Sequence, residues 1–215
     1  MKDNKIARYI VEFIGTFFLV LTIGAVAINS RAGNFAPLAI GAVLIAMIYA
    51  GAHISGAHYN PAVTLAFWFT GKCGGKCNAK DFAMYIIVQI FGALAAAFVV
   101  LYLKDRPELL VSNLQTGKVL VSEVIFTFAL CFVILYVAKT KNILFGVVIG
   151  LTVVASIYAV GEISGAVFNP AVAAGLTAMG LSSLSNIWLY LVANFAGGIL
   201  AVLVFNFLNF KRNNV

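Results

Sequence analysis

The chain has 215 residues, 63% of them hydrophobic and only 10% charged, against about a quarter charged in an ordinary soluble domain; this composition excludes a soluble globular protein and points to a polytopic membrane protein. Three cysteines are too few for a disulfide framework. The formal charge of +7 is scattered between apolar runs, so it reads as membrane topology and excludes a nucleic-acid partner.

Apolar runs near the length of a bilayer crossing occupy residues 10–28, 37–52, 82–103, 119–138, 143–160 and 187–208, which predicts six spans of an all-α membrane protein. Lys2, Lys5 and Arg8 precede the first run. A cleaved signal peptide can begin that way, but this run is long for a signal core and carries Glu12. The N-terminus is therefore expected in the cytoplasm, with six crossings returning the C-terminus to the same side of the cell membrane. Charge placement agrees. Lys2, Lys5, Arg8, Lys72, Lys76, Lys80, Lys139, Lys141, Lys211 and Arg212 fall inside, against Arg31, Lys104, Arg106 and Lys118 outside. Cys73 and Cys77 flank Gly-Gly-Lys in an inside loop, where thiols stay reduced. No histidine or third thiol lies near them in sequence, and no metal or other cofactor is expected.

Between the second and third runs stands His53-Ile-Ser-Gly-Ala-His58-Tyr-Asn60-Pro-Ala-Val63, and half a chain later Glu162-Ile-Ser-Gly-Ala-Val167-Phe-Asn169-Pro-Ala-Val172. The repeat extends into the spans: Glu12-Phe-Ile-Gly-Thr16 is echoed by Glu123-Val-Ile-Phe-Thr127, and Gln89-Ile-Phe-Gly92 by Asn194-Phe-Ala-Gly197. Residues 1–103 and 119–215 are thus expected to be half-repeats of one domain spanning 1–215. Three crossings separate the two triplets, so they enter the membrane from opposite faces, the inverted arrangement that puts a site near the midplane. Glycine- and serine-rich backbone at that depth is tolerated only where it lines something wet or is buried in protein.

Each triplet is also a helix start. Asn60 and Asn169 suit N-caps, and Pro61 and Pro170 suit the first helical position, where a missing amide hydrogen is no loss. The segments 62–69 and 171–179 run to Gly71 and Gly180, good stop signals. About ten residues of helix reach about 15 Å, half of a bilayer core of about 30 Å. Two such half-helices, tip to tip, complete a seventh pseudo-span.

Six spans, inverted halves, paired Asn-Pro-Ala triplets and the Glu-x-x-x-Thr echoes resemble the major intrinsic protein family, the aquaporins and aquaglyceroporins, over almost the whole chain. The resemblance implies an aquaporin-like fold and a passive channel for water and small neutral solutes. Asn60, Pro61, Ala62, Asn169, Pro170 and Ala171 would form the central constriction. The carbonyls of Gly56, Ala57 and His58 and of Gly165, Ala166 and Val167 would offer acceptors along one wall. Glu12 and Glu123, intramembrane carboxylates and so functional suspects, would accept hydrogen bonds from the backbone amides of the re-entrant loops. The resemblance also implies a homotetramer with one pore per subunit; small residues in the spans permit close helix approach.

By the family's spacing the narrowest ring falls on Ile40, Ile157, Ala166 and Val172, with Val172 where water-selective members commonly carry arginine. Losing a guanidinium removes five donors and a fixed charge. The last three positions are similar to those of plant vacuolar-membrane members, which implies passage of urea, ammonia or peroxide besides water, extending to glycerol. An all-apolar ring can also dewet and pass water poorly, and both outcomes stay open here. His53 and His58 are expected to pack or bind carbonyls within one loop, and Glu162 to be a solvated vestibule residue. A secondary transporter is the alternative, since inverted repeats serve transporters too; beyond Glu12 and Glu123 the spans hold almost no charge for a coupling ion. An enzyme is excluded by the lack of a converging nucleophile, base and orienting acid.

Overall fold

A computed structural model of the protein describes residues 4–28, 32–71, 78–104, 107, 115–140 and 143–212. Cys73 and Cys77 lie outside the described residues. The elements in chain order are α1 (Lys5–Ala27), α2 (Ala36–Ser55), the short α3 (Pro61–Phe69), α4 (Ala79–Leu103), α5 (Thr116–Thr140), α6 (Phe145–Ser164), the short α7 (Pro170–Met179) and α8 (Ile187–Arg212). Six helical segments are long and apolar enough to cross a membrane.

The long helices overrun the apolar runs. α2 continues to Ser55 and α6 to Ser164, where Gly56 (φ 93°) and Gly165 (φ 83°) adopt the left-handed conformation that ends a helix. His53 and Glu162 therefore sit, exposed, in the last turns of α2 and α6, so His53 lies on a helix and not in the loop expected to hold it with His58. A polar residue on the exposed face of a helix end does not stop the helix; the backbone glycine does. Similarly α5 begins at Thr116, three residues before the expected start of the second half.

Polarity is inverted relative to a soluble protein. Among the described residues, Glu12, Thr16, Ser55, Thr64, Gln89, Glu123, Thr127, Ser164 and Asn194 are completely buried, while Phe98, Tyr102, Leu203 and Phe207 are among many large apolar side chains left exposed. Such a surface fits a lipid surround and would be a liability in water. Polar groups inside then depend on internal partners, and most of them find one.

The packing closes on itself when α1–α4 are exchanged for α5–α8. α1 packs on α4 and α2 as α5 packs on α8 and α6; α4 holds α7 as α8 holds α3; and α2 meets α6 across the middle. Glycines set the closest approaches. A Cβ at Gly92 would lie 2.6 Å from the Phe13 carbonyl oxygen, and one at its counterpart Gly197 would lie 2.6 Å from that of Val124. On the axis, Gly41 and Gly150 face each other's carbonyls in the same way, at 3.0 and 2.8 Å.

The ends of parallel helices are tied by charge. Lys5 pairs with the buried Asp81 at 2.9 Å, joining the starts of α1 and α4. At the far end of the same two helices Lys104 Nζ donates to the carbonyls of Ala25 (2.6 Å) and Ile28 (2.8 Å). A cation there satisfies carbonyls that have no partner within the helix. Arg8, expected as an inside topology charge, is helical and only 3% exposed, and its Nε donates to Tyr85 Oη at 2.9 Å.

Candidate pore between the half-helices

Each short helix starts as its sequence dictates. Asn60 and Asn169 have extended backbones (φ −156° and −155°), and their Oδ1 atoms accept from Ala62 N at 2.8 Å and Ala171 N at 2.9 Å. Pro61 and Pro170 occupy the first turn, where no donor is required.

The segments leading into these caps need a carboxylate behind them. Glu12 accepts from Ser55 Oγ (2.7 Å) and His58 N (2.9 Å) on one oxygen, and from Tyr59 N (2.7 Å) and Gln89 Nε2 (2.9 Å) on the other. Glu123 repeats the pattern with Ser164 Oγ (2.7 Å), Val167 N (2.9 Å), Phe168 N (2.7 Å) and Asn194 Nδ2 (2.8 Å). Four donors match the acceptor capacity of a carboxylate with both oxygens engaged. This reward holds Ala57, Tyr59, Ala166 and Phe168 at φ of 49–51°, a left-handed conformation that costs non-glycine residues about 1–2 kcal/mol each. Turning the amides toward the glutamates leaves the carbonyls facing the other way. Among the described residues nothing donates to the carbonyls of Gly56, Ala57 or His58, or of Gly165, Ala166 or Val167.

Gln89 and Asn194 complete both clamps at a cost. Gln89 Nε2 also reaches Thr64 Oγ1 (2.9 Å) and Asn194 Nδ2 reaches Thr127 Oγ1 (3.1 Å). Their amide oxygens, Gln89 Oε1 and Asn194 Oδ1, are buried without a partner among the described residues.

The two half-helices meet tip to tip. Asn60 Nδ2 donates to the Phe168 carbonyl, and Asn169 Nδ2 donates to the Tyr59 carbonyl, both at 2.9 Å. Each triplet thus braces the loop that delivers the other, a reciprocity that no reading of either segment alone could supply. Each amide nitrogen retains a second hydrogen.

A cavity of about 530 Å³ runs past this junction. It is lined by both asparagines, by the three carbonyl-bearing residues of each loop, and by Ile40, Ile157, Ala166 and Val172 from the expected ring. Leu19, Leu44, Leu130, Ile134 and Val153 are part of its apolar wall. No charged side chain lines it among the described residues, and Glu162 and His53 stand away from it. Pro61, Ala62, Pro170 and Ala171 are buried but do not line the cavity; of each triplet only the asparagine does. His58 lines it with its ring stacked on Phe67 (centroids 4.6 Å apart) and its Nδ1 3.2 Å from Thr64 Oγ1. Phe67 and Leu176, not among the expected pore residues, also reach the cavity; their place four residues beyond Val63 and Val172, one turn along the same helix face, is the signal that identifies them.

Two re-entrant half-helices, clamped by buried carboxylates and joined at an uncharged cavity inside an apolar six-helix shell, define a membrane channel architecture. The family profile described as major intrinsic protein matches residues 38–205, and the chain belongs to that family. It is 37% identical over 220 residues to the aquaporin NIP1-1 of Zea mays, covering 96% of this chain and 76% of that one. With the probable aquaporin NIP4-2 of Arabidopsis thaliana it shares 33% over 216 residues, covering 94% and 75%. Among solved structures, the aquaglyceroporin from Plasmodium falciparum superposes with a TM-score of 0.80 at 23% identity, over 94% of this chain and 96% of that one; that likeness speaks to the fold. The similarity of the ring residues to the vacuolar-membrane branch finds no support in these relatives, which carry NIP names.

Proposed function

We propose that the chain forms one passive pore built of two half-repeats, 1–103 and 119–215, conducting water and small neutral solutes such as urea, ammonia, peroxide and glycerol while excluding ions and protons. The observation that carries this reading is the pair of cross-bonded asparagines exposed to an uncharged cavity.

The half-helix N-termini converge there, each worth about half a positive charge. A monovalent cation about 5 Å from such a pair, at an effective dielectric near 20, is repelled by about 3 kcal/mol, before the cost of stripping its hydration. A water accepting from the remaining hydrogens of Asn60 and Asn169 directs its own hydrogens away along the file, which breaks the donor–acceptor chain that proton hopping requires. The unengaged carbonyls of Gly56, Ala57, His58, Gly165, Ala166 and Val167 supply acceptors along the path, and apolar side chains supply the opposite wall.

Ile40, Ile157, Ala166 and Val172 form the selectivity ring in this reading. With valine in place of a fixed guanidinium the ring is wider and offers no ionic donor, so size and desolvation decide passage. Both termini lie in the cytoplasm, the protein sits in the cell membrane, and four copies assemble with a pore in each. Stopped-flow light scattering on proteoliposomes under sucrose, glycerol and urea gradients tests the ring. Val172→Arg is expected to reduce solute flux more than water flux. Equal loss of both, or no change, removes Val172 from the ring.

A further inference from the structure

The exchange that maps α1–α4 onto α5–α8 passes between the two asparagines, because each donates to the carbonyl preceding the other. It carries Asn60 onto Asn169 and Gly41 onto Gly150. Applied to the ring just proposed, it carries Ile40 onto Ile149, Ile157 onto Ile48, Ala166 onto Ala57 and Val172 onto Val63. The residue type is unchanged at all four positions, and all four counterparts line the same cavity. Exposure matches at three of the four pairs, Ile40 8% and Ile149 7%, Val172 3% and Val63 2%, with Ala57 and Ala166 both half-buried; Ile48 is buried where Ile157 is half-buried.

The match is not the residue of an unaltered duplication. Elsewhere along the same wall the halves have diverged: His58 stands where the other half has Val167, Phe67 where it has Leu176, and Leu44 where it has Val153. Because α2 and α6 run antiparallel, Ile40 and Ile157 lie toward one mouth, and Ile48 and Ile149 toward the other. This is confirmed by Tyr158 Oη donating to the Asn34 carbonyl (2.7 Å) at one end of the pair and Tyr49 Oη to the Ile143 carbonyl (2.9 Å) at the other.

We infer that this pore carries two constrictions of the same chemistry in series, one on each side of the asparagine pair, the second formed by Ile48, Ala57, Val63 and Ile149. The inference rests on the ring of the proposed function. A solute is desolvated against two isoleucines, an alanine and a valine twice, and neither ring offers an ionic donor to replace the lost water. Two equal resistances in series add. Widening one of them therefore raises the flux of a size-limited solute by at most about twofold, and only widening both releases it.

Glycerol and water permeability of proteoliposomes carrying Ile40→Ala, Ile149→Ala and the double variant test this. Each single substitution is expected to raise glycerol flux less than about twofold, and the pair to raise it by more than the product of the singles; should the parent exclude glycerol, only the pair admits it. Full release by Ile40→Ala with no effect of Ile149→Ala, in protein that still conducts water, overturns the second ring and leaves the first standing. Silence of both singles and of the pair overturns both rings. Ile40→Val and Ile149→Val, with retained water conduction as the measure of folding, provide the same comparison if an alanine variant does not assemble.

Discussion

A carboxylate with no exposure to solvent is tolerable in a bilayer interior only if its oxygens are fully engaged. Glu12 and Glu123 meet that condition through two backbone amides, a serine hydroxyl and a carboxamide each. Their identity as loop supports follows from the family resemblance, whereas their partners Gln89, Asn194, Ser55 and Ser164 emerge only when four helices are brought together. Glu12→Gln keeps the shape but turns an amide group toward donors. Whichever oxygen the NH2 replaces, it is expected to strand one backbone amide, His58 N or Tyr59 N, at about 1–3 kcal/mol, with a lower melting temperature in detergent. An unchanged melting temperature would show that the loop does not depend on this acceptor.

Helix boundaries were the least legible feature at the scale of elements. Hydropathy placed the end of the second span at residue 52 and of the fifth at 160, but the helices stop at Ser55 and Ser164 because Gly56 and Gly165 turn left-handed. The half-helices were easier to foresee, since an asparagine cap, a first-turn proline and a terminal glycine are local signals; Gly180 closes α7 at φ 78° as expected, while α3 ends one residue earlier, at the Thr70 cap before Gly71. What α1, α4, α5 and α8 contribute is close packing. A side chain at Gly197 would enter the α5 backbone, 2.6 Å from the Val124 carbonyl and 2.9 Å from Phe128 N. Gly197→Leu is therefore expected to cost more than the about 1–3 kcal/mol of ordinary overpacking, read as loss of monodisperse protein on size exclusion. Gly117→Leu, a site with open space around it, is the control that should remain monodisperse.

Across the whole molecule the two halves preserve geometry while exchanging volume. Tyr59 fills the space above Gly15, where an added Cβ would lie 2.1 Å from its ring, and its hydroxyl donates to the Met47 carbonyl at 2.8 Å. In the other half Phe168 packs against Phe126 at the corresponding place, with ring centroids 5.8 Å apart. Large against small in one half and aromatic against aromatic in the other leave both asparagines at the same point. The positive field at that point belongs to the assembled pair of helices and to neither alone. Asn169→Asp places a carboxylate there and is expected to increase sodium and proton leak through proteoliposomes. Unchanged leak, in protein with normal melting, would count against exclusion by the converging helix ends.

Six apolar helices, the duplication, the inversion and the two helix starts are legible in the sequence alone, because each of these depends on periodicity, composition or capping within a few residues. The family's spacing pointed to Ile40, Ile157, Ala166 and Val172, and all four line the cavity. Folding in three dimensions was needed to reveal that each asparagine braces the opposite loop, that the prolines and alanines of the triplets stay off the cavity wall, and that Arg8 is buried against Tyr85. These outcomes depend on contacts between residues 77 to 110 positions apart, and local sequence carries no term for the distance between two segments that meet only after the helices have packed.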